Sequence, residues 1–553
     1  METTFETTFE TQLDAAYGHE TKLASRIWLT QPMGGGAIRD LTWREAMAEA
    51  RRIAAHLRSL DYPPGSRIAI FSKNCAWWIL ADLAIWMAGH VTVPIYPTLS
   101  ADSIRQILEH SASRLVFIGK LDGFAAMAPG IPPSVARIGL PLSADSGAPK
   151  WNDLLATTEP IQGNPRRDPD DLATIVYTSG STGVPKGVMH SFRTMCATRA
   201  FVDLFDTTVD DRMISYLPLA HVAERGLLEI PNLFVGFRVF FAESLDTFVA
   251  DIQRARPTAF GSVPRLWLKF QSGVFGKMPP HKLARLLRIP IVRGVVRRTI
   301  LRGLGLDRVR LAVCGSAPVP PELLEWYGSL GLEIQEIYGM TENMALSHMT
   351  RAADRRIGYV GAPLAGVEQR LAADGEVLVK SPGTMVGYFE APELTREMID
   401  ADGWIHTGDR GELDGRGQLK ITGRVKELFK TSKGKYVAPA PIENALLADP
   451  RIDQACVTGS GLAQPLALVV LTAAARADDR ASVTAALGAL RDAVNGARDQ
   501  HEHLDRIVVI GDEWTIDNGL LTPTMKLKRG AIEDRYGKSL ADWTANGDAV
   551  VWS

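Results

Sequence analysis

The hydrophobic pattern changes period repeatedly between residues 41 and 118. Thr42-Trp43-Arg44-Glu45 has the Thr-x-x-Glu spacing of a capping box, and Met47, Ile53 and Leu57 follow at roughly helical spacing, so a helix is expected to about Leu60. Tyr62-Pro63-Pro64-Gly65 stops it. Arg67–Phe71 then reads as a strand, Trp77–Met87 as a helix, Val91–Tyr96 as a strand, Ser100–His110 as a helix and Leu115–Ile118 as a strand. Strands alternating with helices at this spacing predict an α/β domain whose parallel sheet is covered on both faces.

Further along, Ala128–Pro149 is rich in Pro and Gly and reads as loop, and Glu159–Asp171 as a polar connector. Leu172–Tyr177 and Gly187–Ser191 are expected to be two strands flanking a loop. Leu311–Pro318 reads as a buried strand breaking into a Gly-Ser turn, Glu333–Glu342 as a strand running into Tyr-Gly, and Asp402–Arg424 as a hairpin of short strands with Gly turns. At Lys426 the composition changes, which marks the expected start of a second domain.

Composition narrows the classes. A chain of 553 residues exceeds one hydrophobic core, so two to four domains are expected. Its 46% hydrophobic and 22% charged residues are those of an ordinary globular protein, and a net charge of −2 argues against a global nucleic-acid role. Cys75, Cys196, Cys314 and Cys456 lie far apart with no C-x-x-C pair, which favours a reducing, cytoplasmic compartment without a zinc site. No secretory leader is expected from the polar Met1–Leu13. The apolar run Trp77–Met87 is about half the length of a membrane span. Lys277–Arg310 carries ten basic residues among Leu, Ile and Val, and reads either as a solvated helical hairpin or as a docking face for anionic lipid.

The candidate chemistry centres on Tyr177–Val188, Y-T-S-G-S-T-G-V-P-K-G-V. Gly180 and Gly183 allow a tight turn with close backbone approach, Thr178, Ser179, Ser181 and Thr182 add hydroxyl donors, and Lys186 adds a cation. Together they suit a nucleotide phosphate. Pro185 stands where a Walker loop needs Gly, so the stretch is not one. Tyr338 ends a strand, where open α/β sheets bind ligands, and Thr341 and Glu342 offer a hydroxyl and a hard oxygen suited to Mg²⁺. Asp409, at a Gly-Asp turn, suits a pair of ribose hydroxyls. Ser215–Arg225, S-Y-L-P-L-A-H-V-A-E-R, places a Pro, the lone His221 and an expected Glu224-Arg225 ion pair on an apolar path, as in a lined pocket.

The Tyr177–Val188 stretch resembles the phosphate-binding loop of the adenylate-forming superfamily, and matching blocks run in order from about Leu41 to Arg529. The likeness is nearest to long-chain acyl-CoA synthetases, through L-P-L-A-H-V-A-E-R, Asp402–Arg424 and T-P-T-M-K-L-K-R. The resemblance implies a large N-terminal domain of layered α/β subdomains, residues 1–425, and a small mobile α+β domain, residues 426–553, with Lys426 as the hinge. It implies ATP, Mg²⁺ and coenzyme A, and activation of a carboxylic acid of the long-chain fatty type to an acyl-adenylate and then a thioester.

It further implies Tyr338 on adenine against Gly315, Ser316 and Ala317, with Gly339 and Met340 beside them. Asp409 would hold the ribose, with Arg424 and Lys430 near ribose or phosphate, and Thr178 and Glu342 would hold Mg²⁺ beside Thr341. His221 and Arg225 would line the acyl pocket; some relatives carry a gating Trp where this chain has Arg225, so chain-length preference does not transfer. Lys526 falls at the family's catalytic lysine, with Met525 in place of the usual Gly and Lys528 as the competing candidate. The alternatives are an acyl-AMP ligase loading a carrier protein, an aryl- or medium-chain CoA ligase, and a catalytically silent binding module. No protein partner is evident, and contact with anionic membrane is the sharper reading of the basic stretch.

Overall fold

A computed structural model of the chain describes residues 9–144, 147–179, 185–522, 525–545 and 547–553. Its largest sheet has seven strands in the order Gly387–Tyr388, Pro185–Ser191, Leu172–Ser179, Val91–Ile95, Arg67–Phe71, Leu115–Ile118, Ala136–Gly139. The last five run parallel, as the strand–helix alternation predicts, and the first two close one edge antiparallel. One strand departs from the sequence reading. Ala136–Gly139, inside the stretch expected to be loop, pairs in parallel with Leu115–Ile118. Its apolar run is too short to show a period among Pro and Gly neighbours, and the open edge of the sheet captures it.

The helix Trp43–Ser59 starts as its capping box requires. Thr42 Oγ1 accepts the Glu45 N–H at 3.3 Å, and the Glu45 carboxylate accepts the Thr42 N–H at 2.8 Å. Such caps contribute roughly 1 kcal/mol. All twelve residues of the next helix, Ala76–Met87, are buried. Apart from Asp82 it is apolar all round, because neighbours cover it on every side.

A second sheet runs Ala259–Ser262, Leu311–Gly315, Ile334–Tyr338, His348–Met349, Ala362–Pro363, its first three strands parallel. A third, four-stranded sheet contains Ile27–Gly34, and a fourth contains the antiparallel hairpin Ile405–Leu413 with Leu419–Arg424. The C-terminal part forms its own mixed sheet, Ile452–Thr458, Leu466–Leu471, Ile507–Val509, Val550–Trp552, against helices Pro439–Leu447, Arg480–Gly496 and Arg529–Tyr536. Among the described residues, no apolar cluster mixes side chains up to Ile421 with side chains from Phe429 onward. The molecule is thus a large N-terminal and a small C-terminal unit, both mixed α/β. No helix among the described residues is long and apolar enough to cross a membrane.

Candidate active site

Thr178, Gly315 and Tyr338 stand at or next to the ends of strands in the two largest sheets. Leu172–Ser179 and Pro185–Ser191 pair antiparallel with Thr178 opposite Lys186, which puts the hydroxyl and the ammonium at the mouth of the connecting loop. Gly180, Ser181, Thr182 and Gly183 lie outside the described residues, as does the side chain of Ser179.

Leu311–Gly315 and Ile334–Tyr338 are neighbours in register, with Gly315 beside Ile337. A Cβ on Gly315 would sit 2.5 Å from Ile337 Cγ2, and one on Gly339 would sit 2.6 Å from the Ala345 backbone. Both glycines are therefore demanded by packing, and Ser316 takes a left-handed φ of 67° to leave the Ser316-Ala317 turn exposed beside Tyr338. Met340 N donates to Asn343 Oδ1 at 2.9 Å, which folds Thr341–Asn343 into a single tight turn.

The Tyr338 hydroxyl donates to Asp409 Oδ2 at 2.7 Å, and Arg424 Nε lies 3.1 Å from Asp409 Oδ1. Arg424 is opposite Asp409 in the hairpin register, so one hairpin supplies both charges. Burial pushes the Tyr338 phenol well above its ordinary value, and the Asp409 carboxylate adds to that. Glu342 is buried, and its Oε1 accepts the Tyr388 hydroxyl at 2.7 Å. The His190 Nε2–H donates to the Thr341 carbonyl at 2.8 Å. Thus the Thr341-Glu342 turn is held by residues of the seven-stranded sheet.

Lys526 comes to this cluster from the C-terminal unit. It is accessible to solvent, yet the protein crowding around it holds its ammonium below the ordinary lysine range. Arg424 lowers it further, while Asp409, Glu342 and Glu427 act in the opposite sense. Met525, whose N–H donates to the Thr522 carbonyl, stands at φ 63°, the left-handed region that favours Gly. Lys528 instead donates its N–H to Leu520 and stands at the start of Arg529–Tyr536. Lys430 lies on the short strand Phe429–Lys430 with its ammonium 5.6 Å from the Tyr436 ring, and Lys426 is exposed in the turn Val425–Glu427.

His221 caps the Val222–Glu224 turn through Nδ1, which accepts Ala223 N–H at 3.1 Å; its ring stands edge-on to Tyr96. Burial, with Lys526 second, pushes His221 down to about 4, so it is neutral near pH 7. Glu224 and Arg225 do not pair with each other. Glu224 accepts Ser215 Oγ–H and Tyr216 N–H, whereas the fully buried Arg225 binds Asp82 and, at 2.9 Å, Glu229. The π-helical turn Arg225–Glu229 brings that last pair together. Asn74 fastens the same pocket segment, accepting Leu219 N–H and donating to the Leu217 carbonyl. Asn74, His190 and Tyr388 carry no chemical signal in the sequence, since each acts through a partner 46 to 151 residues away that only the fold brings near.

The donors at Glu342 and Thr178 are hard oxygens. Among the described residues no group of three or more His, Cys, Asp or Glu could enclose a metal. One carboxylate with a hydroxyl fits Mg²⁺ arriving with nucleotide phosphates, because Mg²⁺ commonly keeps one or two protein carboxylates and takes the rest from phosphate and water.

Residues 16–389 match the family model of the AMP-binding enzyme, and residues 427–545 that of the AMP-binding enzyme C-terminal domain. The chain belongs to the AMP-binding enzymes. A long-chain-fatty-acid–CoA ligase, FadD15 of Mycobacterium bovis, is 30% identical over 91% of this chain and 92% of that protein. Human long-chain-fatty-acid–CoA ligase 1 is 32% identical over 87% of this chain and 78% of that protein. In fold, this AMP-binding enzyme is similar to the anthranilate CoA ligase AuaEII in complex with anthranoyl-AMP (TM-score 0.78, 20% identity, 95% and 97% coverage). It is similar also to the adenylation domain of a carboxylate reductase from Mycobacterium chelonae (TM-score 0.80, 24% identity, 97% and 91% coverage). Its chemistry is acid activation through an acyl-adenylate, in the acid–thiol ligase class.

Proposed function

We propose that this enzyme converts a long-chain fatty acid to its coenzyme A thioester, with ATP consumed to AMP and pyrophosphate. The observation that carries the reading is the approach of Lys526, from the small domain, to Asp409, Arg424 and Glu342 of the large one. Two anions, a carboxylate and a triphosphate, must meet in the first half-reaction, and preorganised cations are what such a step needs. The carboxylate oxygen attacks the α-phosphorus, the bond to pyrophosphate breaks, and Lys526 stabilises the charge shared between the two. Thr178–Lys186 would cradle the β- and γ-phosphates, Tyr338 would pack on adenine against Gly315–Ala317, and Asp409 would accept both ribose hydroxyls. Glu342 and Thr178 would hold Mg²⁺, which supplies neutralisation of the departing pyrophosphate.

In the second half-reaction the thiol sulfur attacks the acyl carbon, the bond to AMP breaks and the thiol proton leaves. Lys526 cannot occupy the site for both halves, so the small domain, residues 426–553, turns about Lys426 between them. His221 would face the acyl carboxylate, and Arg225, locked to Asp82 and Glu229, would set the wall behind it. Both relatives named above are long-chain-fatty-acid–CoA ligases, which favours a fatty substrate. Acid-dependent exchange of labelled pyrophosphate into ATP, followed by thioester formation across acid lengths, tests this. Exchange without coenzyme A thioester would favour a carrier-protein acceptor instead, and a preference for aryl acids would move the substrate class.

The enzyme would work in the cytoplasm and reach its acid at an anionic membrane. Helix Pro290–Leu304 buries none of its residues, and Ile291 and Val295 are 88% and 65% exposed beside Arg288, Arg293 and Arg298. Apolar tips among arginines suit the headgroup boundary. Sedimentation with anionic vesicles should occur at low salt and fade as salt rises. Binding unaffected by charge reversal of Arg293 and Arg298 would end the idea.

A further inference from the structure

We propose that Tyr388 is the positioning residue of the metal-side carboxylate: its hydroxyl fixes Glu342 so that one oxygen is presented to the cation accompanying the nucleotide phosphates. This rests on the reading of Glu342 as a metal ligand.

Tyr388 is 5% exposed, and its hydroxyl donates to Glu342 Oε1 at 2.7 Å. The side chain has no freedom to do otherwise. Gly387–Tyr388 is a strand of the large sheet, paired with Met189 and Val188 of the strand that carries Lys186. The Tyr388 N–H donates to Thr395 Oγ1 at 2.9 Å. The carboxylate's own backbone is tethered from the same direction, since Met385 N–H donates to the Glu342 carbonyl at 2.8 Å. Lys186 Nζ lies 5.7 Å from the centre of the Tyr388 ring. One aromatic side chain therefore touches the phosphate-side cation through its face and the metal-side carboxylate through its hydroxyl.

The chemistry of the pairing suits a cation ligand. A phenol satisfies one carboxylate oxygen and locks its orientation while leaving the full negative charge for the metal. An arginine or lysine in its place would cancel that charge. Outer partners of metal-binding carboxylates typically change metal affinity about 10–100-fold when removed. Tyr388→Phe removes the hydroxyl alone, so the ring contact with Lys186 and the strand pairing remain.

The test titrates Mn²⁺ into the full chain saturated with a non-hydrolysable ATP analogue, with free Mn²⁺ read by electron paramagnetic resonance. Tyr388→Phe should weaken Mn²⁺ about ten-fold or more, while analogue affinity in EDTA and the melting temperature stay at wild-type values. Wild-type Mn²⁺ affinity in Tyr388→Phe overturns the proposal, as does equal loss of analogue affinity in EDTA, which would make Tyr388 a packing residue under the nucleotide. Glu342→Gln separates the two readings. If it weakens Mn²⁺ and Tyr388→Phe does not, only the positioning role falls; if neither variant weakens Mn²⁺, Glu342 is not the ligand and both fall.

Discussion

Arg265 and Asp453 form an ion pair between the two domains: Arg265 Nη2 lies 2.9 and 3.0 Å from the two Asp453 carboxylate oxygens. Arg265 is on helix Pro264–Lys277 of the large unit and Asp453 on strand Ile452–Thr458 of the small one. The pair favours the orientation in which Lys526 faces Asp409 and Glu342. Both partners are partly exposed, so its contribution is about 0.2–1 kcal/mol, or less than about five-fold in an equilibrium. Asp453→Asn should slow adenylate formation within that range and leave thioester formation from synthetic acyl-adenylate unslowed. Equal slowing of both half-reactions would assign the pair to stability alone.

Lys526→Ala should cost adenylation about 10²–10³-fold, roughly 3–4 kcal/mol, the usual scale for a preorganised charge-stabilising contact. Thioester formation from acyl-adenylate should survive. Lys528→Ala should leave adenylation near wild type, because Lys528 donates its N–H to the Leu520 carbonyl and stands at the start of the helix Arg529–Tyr536. The reverse pattern would exchange the two lysines.

The same lysine predicts a pH limb. Its ammonium is held below the ordinary lysine range, so it loses its proton at lower pH than a free lysine, and adenylation should decline as pH rises through that lowered value. Lys526→Arg, which stays charged, should shift the limb upward in a pH–rate profile of pyrophosphate exchange.

Lys426→Pro should impair thioester formation far more than adenylation. Proline fixes φ, and Lys426 sits exposed in the turn Val425–Glu427 between the two apolar cores. Separate assays of the half-reactions decide it; equal losses would remove Lys426 from the hinge.

Stability should fall in acid through His348. Burial pushes it down to about 4, and its ring is satisfied as the neutral form, donating to Gln369 Oε1 and accepting the Ser347 hydroxyl. The unfolded chain takes up a proton near pH 6.5 and the folded one only near 4. This contribution is therefore complete above about 6.5 and is lost progressively as pH falls toward 4, up to roughly 3 kcal/mol. Melting temperature against pH should flatten over that window in His348→Gln.

The Thr42–Glu45 box, the helix after Cys75, apolar but for Asp82, and the strands ending at Ser179 and at Tyr338 were legible because each is a local pattern. A cap or an apolar period is decided by residues within a turn or two of one another. The presence of a smaller C-terminal unit was legible in the change of composition along the chain. Ala136–Gly139 was not, since four residues among turn formers have no period, and pairing with Leu115–Ile118 alone makes them a strand. Side-chain partnerships were the least legible. Glu224 and Arg225 are adjacent in the chain, but point to Ser215 and to Asp82, the latter 143 residues away. Tyr388 meets Glu342, 46 residues away, and Lys526 comes under the charge of Asp409, only once separate parts of the fold have packed together. Sequence thus determined the elements and the kinds of chemistry on offer, because those depend on short-range backbone preference and residue type. Which oxygen faces which donor was decided by the tertiary structure, because that depends on long loops closing around packed sheets.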